Sequence, residues 1–213
     1  MRTDQLVAML ARGAGATAPG APQRRFAAAL AGGGAAAVVL MVIALGVRPD
    51  LAEAPRDPMF WVKLGVPALI LASAFAGCTR AGRPGARVAS AAATLAVPVG
   101  AIGLLAALAL ASAPPGTRGA LVMGGSWAAC VISIALLALP VFAGALWAMK
   151  GLAPTRPALA GTFAGLLAGA AGALVYSFHC PEMAAPFIAS WYLLGIVVPA
   201  AIGGLAGRML LRW

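Results

Sequence analysis

The chain has 213 residues, of which 62% are hydrophobic and only 9% charged, and its mean hydropathy is +0.97. Soluble domains carry about a quarter charged residues, so this composition excludes a soluble globule, and its apolar excess excludes a disordered chain. It predicts an integral membrane protein. The net charge of +10 need not indicate nucleic-acid binding, because Lys and Arg in short cytoplasmic loops orient membrane proteins.

The first 25 residues are predicted to form a cytoplasmic N-terminal segment. Residues 1–12 are typical of a short amphipathic helix capped by Thr3 or Asp4, and a Gly/Ala/Pro linker follows over residues 13–22. The apolar side of the helix would consist of Leu6, Val7, Met9 and Leu10. Because so short a helix is marginal alone in water, we expect it either to lie on the membrane or to bind in a groove of a partner protein.

Residues 26–213 are predicted to form an all-α membrane domain of six transmembrane helices. Crossing about 30 Å of hydrocarbon takes roughly 20 apolar residues. The stretches that qualify are residues 26–46, 60–78, 88–111, 127–148, 158–178 and 187–207. Their connections are short, so neighbouring helices should be antiparallel and no separate soluble domain is expected. Four prolines inside the spans should kink the helices: Pro67, Pro98, Pro140 and Pro199.

The charge distribution predicts that both termini face the cytoplasm. With that orientation, eleven of the fifteen Lys and Arg residues lie inside and three outside, while four of the five acidic residues lie outside. The remaining basic residue, Lys63, lies four residues into the second span. We interpret it as an interfacial anchor beside Phe60 and Trp61, with its ammonium group reaching towards water.

Small residues recur at four-residue spacing in the last two spans, at Gly161, Gly165 and Gly169 and again at Gly203 and Gly207. Such stripes allow helix backbones to approach closely in a membrane. The sequence favours packing within one chain, and a homodimer through the glycine-rich faces is the alternative.

No catalytic constellation is apparent in the sequence. The spans contain no Asp or Glu, there is no glycine-rich phosphate loop, and the single histidine, His179, has no well-placed acid and nucleophile. The protein is therefore not expected to be an enzyme or to need a cofactor. The basic residues are spread over four short segments, which argues against direct nucleic-acid binding. A small multi-span transporter or channel remains an alternative, although such proteins usually keep ionisable groups inside the membrane.

The densest polar cluster is His179-Cys180-Pro181-Glu182, in the fifth connection, which the topology places outside. Cys130, in the outer part of the fourth span, should lie on the same face. Disulfides persist on an oxidising face, so these two cysteines are candidates for a redox pair. Thiols beside His179 and Glu182 would also suit a soft or borderline metal. A third interpretation is that both cysteines are small buried hydrophobic side chains, and the residues alone leave all three open.

Five segments resemble the NrsF-like family over essentially the whole chain. They are MRTDQL at residues 1–6, YSFHCPE at 176–182, WYLLGI at 191–196, GGLAGR at 203–208 and LRW at 211–213. The family consists of proteobacterial inner-membrane anti-sigma factors, which are negative regulators of an extracytoplasmic-function sigma factor. The resemblance therefore implies a multi-pass protein of the bacterial inner membrane whose partners are a sigma factor and the lipid bilayer.

The resemblance also implies a mechanism. The cytoplasmic N-terminal region would sequester the sigma factor, and we expect Asp4, Leu6 and Leu10 to make the contact. Release would follow heavy-metal or oxidative stress sensed on the periplasmic side. The paired outer cysteines of the family would correspond to Cys130 and Cys180, whereas Cys78, at the inner end of the second span, has no such role.

Overall fold

The computed structural model describes residues 2–13, 20–83, 85, 88–152 and 154–212, and these residues form helices and no strands. We number the helices in chain order. They are α1 (Thr3–Gly13), α2 (Ala21–Ala44), α3 (Pro58–Ala81), α4 (Ala89–Ser112), α5 (Arg118–Met123), α6 (Trp127–Lys150), α7 (Pro157–Tyr176) and α8 (Ala185–Leu210). Helix α8 is continuous through a π turn at Ile188–Tyr192. Most of the predicted linker, residues 14–19, lies outside the described residues.

The all-α prediction is confirmed, and so is the expectation of six long apolar helices. In the described part of the chain, six stretches are helical, long and apolar enough to cross a membrane, and they contain α2, α3, α4, α6, α7 and α8. The first predicted span begins at residue 26, whereas helix α2 already begins at Ala21. The ring of Pro22 fits the first turn of a helix, where its missing N–H has no partner to lose.

At the N-terminus, helix α1 begins at Thr3, and Arg2 rather than Thr3 or Asp4 stands immediately before it. The backbone N–H of Arg2 donates to Oε1 of Gln5 at 3.3 Å. A bond from the residue before a helix to the side chain three residues later is one half of a capping box.

Helix α7 is the centre of the bundle and the most buried of the six. It packs against α3, α6 and α8, while α2 packs on α6 and α4 packs on α3. This arrangement explains the glycines of α7. A Cβ on Gly161 or Gly165 would overlap the carbonyl oxygen of Gly203 or Pro199 on α8, and one on Gly169 would lie 2.7 Å from the carbonyl oxygen of Ile196.

The glycine stripes of α7 and α8 therefore face each other within one chain. A Cβ on Gly203 or Gly207 would in turn overlap the backbone of α7. Close approach of this kind is what small residues provide between membrane helices. The stripes are thus used for packing within the chain, as the sequence favoured. The homodimer stays a prediction.

The bundle has two ends, which we name after their cysteines. The Cys180 end consists of residues 45–57, 113–126 and 177–184, which connect α2 to α3, α4 to α6 and α7 to α8. The Cys78 end holds the start of α2, the end of α3 and the connection from α6 to α7. Cys78 lies fifteen residues after Lys63 on α3, or about 22 Å along the helix axis. Which end faces the cytoplasm stays a prediction.

Candidate functional site

The structure brings Cys130 and Cys180 into one cluster of buried side chains at the Cys180 end. Cys130 lies in the first turn of α6, and Cys180 lies in the connection between α7 and α8. Both have no exposed surface, and both are free thiols. Cys78 belongs to a second buried cluster. The predicted separation of one cysteine from the other two therefore matches their placement in the bundle.

The two polar neighbours of Cys180 in the sequence bind backbone groups of other connections. Nδ1 of His179 lies 2.9 Å from the carbonyl oxygen of Gly46, and Oε1 of Glu182 accepts a hydrogen bond from the N–H of Gly125 at 2.7 Å. Among the described residues, no group of three or more His, Cys, Asp and Glu side chains is arranged to hold a metal ion. A metal site here would therefore have to be built mainly from the two thiols.

Lys63 is the clearest disagreement with the sequence analysis. Its side chain is entirely buried rather than reaching towards water. Nζ donates to the carbonyl oxygens of Cys180 at 2.6 Å and of Glu182 at 2.7 Å, and it lies 5.3 Å from the ring centre of Tyr192. The interpretation as an interfacial anchor is therefore wrong. The physical reason is that the connection after α7 folds over the start of α3 and offers this ammonium two carbonyls.

A second cation, Arg48, holds the same segment. Its side chain is only 3% exposed, and Nη1 donates to the carbonyl oxygen of Cys180 at 3.3 Å, while its backbone N–H donates to the carbonyl oxygen of Phe178. Nε and Nη2 donate to the two carboxylate oxygens of Asp50 at 2.7 and 2.6 Å. This paired hydrogen bond raises the pKa of Arg48 and lowers the pKa of Asp50.

Aromatic side chains from the end of α7 and the start of α8 pack in the cluster that holds the thiols. Tyr176, Phe187 and Tyr192 belong to the same buried cluster as Cys130 and Cys180. The hydroxyl of Tyr192 has no hydrogen-bond partner among the described residues, although it is fully buried. Trp191 donates from Nε1 to the carbonyl oxygen of Val122, which ties the π turn of α8 to α5.

The sequence analysis missed Lys63, Arg48 and Tyr192 as parts of this site. One signal for Lys63 was available, because it is the single charged residue within a predicted span. A charge at that depth is expensive unless it is paired, which indicates a function more often than an anchor.

At the opposite end, the described side chains of α1 from Thr3 to Leu10 are all exposed. Asp4 lies in the first turn of the helix. Leu6 and Leu10 lie one turn apart on the same side, and 39% and 62% of their surfaces are exposed. At the Cys78 end, Arg80 in the last turn of α3 contacts Ser90 of α4, and Arg83, just after α3, donates to Gln23 of α2 at 3.1 Å.

Known proteins are similar to this chain over nearly its whole length. The family model described as "NrsF: Negative regulator of sigma F" matches residues 10–213. A protein of Azospira oryzae named "Probable anti-sigma-F factor NrsF" is 48% identical over 213 residues, and one of Caulobacter vibrioides named "Anti-sigma-F factor NrsF" is 42% identical over 215 residues. Both alignments cover 100% of each chain, and no solved structure matches significantly. The chain belongs to the NrsF family, as its terminal and HCPE segments indicated.

Proposed function

We propose that this protein is an anti-sigma factor of the bacterial inner membrane that sequesters an extracytoplasmic-function sigma factor. The observation that carries the proposal is the alignment, over the full length of the chain and at 48% and 42% identity, with two relatives named as anti-sigma-F factors. Six helices long and apolar enough to cross a membrane support the location. The excess of basic residues at the Cys78 end supports a cytoplasmic position for that end and for α1.

Helix α1 is the proposed contact with the sigma factor. Its first turns expose apolar surface that the bundle does not cover, including Leu6, Met9 and Leu10. Uncovered apolar side chains at helical spacing suit docking of a helix in a groove. Asp4, at the start of α1, would add a charged contact at the edge of that surface.

The proposed sensor is the pair Cys130 and Cys180. Two thiols can bind one soft divalent cation and release two protons, or they can lose two protons and two electrons to an oxidant and form a disulfide. Their common buried cluster supports a joint role. Either reaction would disturb the contact between the start of α6 and the connection from α7 to α8. Sigma release follows only if the altered bundle binds the sigma factor less tightly.

The contact is tested with two matched double variants of α1. Replacing Leu6 and Leu10 by Asp should abolish co-purification of the sigma factor from solubilised native membranes and switch on a sigma-dependent reporter without stress. Replacing Gln5 and Ala8 by Asp introduces the same residue type on the opposite side of the helix and should leave repression intact. If both variants repress equally at equal abundance in the membrane, the contact would lie instead in the loops around Arg80–Arg87 or Lys150–Arg156.

The sensor is tested with single serine variants of each cysteine. Cys130→Ser and Cys180→Ser should each blunt the response of the reporter to cadmium or chromate, and Cys78→Ser is the control that should respond normally. The double Cys130/Cys180 serine variant should behave like either single variant, because both thiols are needed for the proposed response. A normal response in the double variant would refute cysteine sensing, whereas the absence of any co-purifying sigma factor in the wild type would refute the proposed function itself.

A further inference from the structure

Lys63 is a fully buried cation that lies within a predicted span and has no carboxylate partner among the described residues. A charge in that position is unfavourable unless other groups replace its hydration. The replacement comes from the carbonyl oxygens of Cys180 and Glu182 and from the ring of Tyr192. Two of its three partners therefore belong to the short segment that carries one of the proposed sensor thiols.

That segment depends on outside donors for its position. The N–H groups of Phe178, His179 and Cys180 bond to carbonyls at the end of α7, and Pro181 has no N–H. The carbonyl oxygens of Phe178, Cys180 and Glu182 accept hydrogen bonds from Arg48 or Lys63. Arg48 lies in a connection, whereas Lys63 lies on a helix that runs the length of the bundle. Of these two side chains, Lys63 is therefore the one that joins the segment to α3.

Helix α3 is deformable at the turn that begins with Lys63. Pro67 lies four residues later and has no N–H, so the carbonyl of Lys63 lacks its usual helical partner, and the proline ring crowds that carbonyl. From this turn α3 continues to Arg80 at the Cys78 end, about 26 Å along the axis. Arg80 there contacts Ser90 of α4. Movement at Lys63 thus has a mechanical route to the end of the bundle that carries α1.

We infer that Lys63 is the positioning residue of the sensor: its ammonium holds the Cys180 segment closed and transmits displacement of that segment to α3. The inference rests on the proposed sensing role of Cys180. When the segment moves, the two carbonyls leave Nζ, and the ammonium becomes an unpaired buried charge. Bending of α3 at Pro67 relieves this unfavourable state by turning Lys63 towards water or towards new acceptors.

The holding role is tested by alkylation of Cys180 in isolated membranes, using full-length chains in which Cys78 and Cys130 are serine. Lys63→Met should accelerate alkylation by about tenfold or more, since the opening equilibrium loses two charge-assisted hydrogen bonds. Lys150→Met is the matched control, because Lys150 is the only other lysine and is exposed, and its alkylation rate should equal the wild-type rate. Equal rates of Cys180 alkylation in Lys63→Met, in Lys150→Met and in the chain that keeps both lysines would overturn the inference.

A variant that keeps donors without the charge separates holding from folding. Lys63→Gln should give an intermediate alkylation rate and normal abundance in the membrane. If Lys63→Met does not accumulate, Lys63→Gln carries the test, and an unchanged rate in it refutes the inference. These measurements require no sigma factor, so they remain decisive even if the proposed function fails.

Transmission is tested with a sigma-dependent reporter. Lys63→Met should raise unstressed transcription towards the stressed level, and Lys63→Arg, which retains charge and donors, should restore repression. Pro67→Ala supplies the missing N–H and stiffens α3, so it should keep repression but reduce induction by stress. Normal induction in Pro67→Ala together with normal repression in Lys63→Met would show that Lys63 does not transmit the displacement to α3. The proposed function would still hold in that case, provided that the sigma factor co-purifies with the wild type.

Discussion

The close packing of α7 on α8 yields a sharp prediction for Gly165→Ala. The added Cβ would overlap the carbonyl oxygen of Pro199 and lie 2.6 Å from the carbonyl carbon of that residue and 2.7 Å from Cα of Ala200. All these atoms belong to the backbone of α8, so no side chain can rotate away. Carbon atoms pack best at about 3.5–4.0 Å, and α8 must therefore retreat by about 1 Å.

Two opposing effects set the magnitude. Overpacking of this kind costs about 1–3 kcal/mol, whereas Gly→Ala within a helix stabilises by about 0.5–1 kcal/mol. Gly103→Ala in α4 isolates the second effect, because a Cβ on Gly103 meets nothing within 4 Å. The propensity gain is common to both variants. The difference between them is therefore the packing cost alone, about 1–3 kcal/mol.

Thermal unfolding in detergent measures this difference, with a thiol-reactive fluorophore reporting exposure of the three buried cysteines. For a chain of this size, 1 kcal/mol shifts the Tm by about 2–4 °C, so Gly165→Ala should melt about 2–12 °C below Gly103→Ala. Gly165→Ala should also weaken repression, since α7 packs against α3, α6 and α8, which carry or adjoin Lys63, Cys130 and Cys180. Equal melting temperatures would show that α7 and α8 do not approach as closely as the structure indicates.

Two further predictions concern the ends of the bundle. Alkaline phosphatase fused after Met9 should be inactive, and alkaline phosphatase inserted in residues 47–59 should be active. The opposite pattern would show that the predicted topology is inverted. Trp213, the other terminal fusion point, lies outside the described residues. The lowered pKa of Asp50 means that its pairing with Arg48 stabilises the fold above the usual aspartate pKa and is lost as the pH falls through the lowered value. The Tm of the wild type should therefore fall on acidification below about pH 4 more steeply than that of Asp50→Asn, and parallel curves would contradict the role of this pair.

The membrane spans were predictable because hydrocarbon imposes a strict rule on sequence. A helix satisfies all of its backbone hydrogen bonds within its own segment, so a spanning helix needs about 20 consecutive apolar residues, and a run of that length is visible in the composition alone. The ends of the spans were less accurate. Helix α2 starts at Ala21 because Pro22 fits its first turn, and the π turn at the start of α8 depends on contacts such as the bond between Trp191 and Val122.

The candidate site was predictable only in part, for a related reason. Topology places Cys130 and Cys180 at one end by counting spans, and the structure brings them into one cluster. The partner of Lys63 could not be found by counting, because it consists of two backbone carbonyls far along the chain. A carbonyl acceptor leaves no signature in the residue type. The same is true of Gly46 and Gly125, whose backbone groups engage His179 and Glu182.

Burial of both thiols constrains any sensing mechanism that uses them. Cys130 and Cys180 have no exposed surface, so a metal ion or oxidant can reach them only after the Cys180 segment opens. The hydrogen bonds from Lys63 and Arg48 are among the contacts that oppose this opening. A weaker hold would admit the stress signal more readily but would also disturb the resting bundle and release the sigma factor without stress. Under the proposed sensing role, the strength of the two cationic contacts would therefore set both the sensitivity to stress and the release of sigma factor without stress.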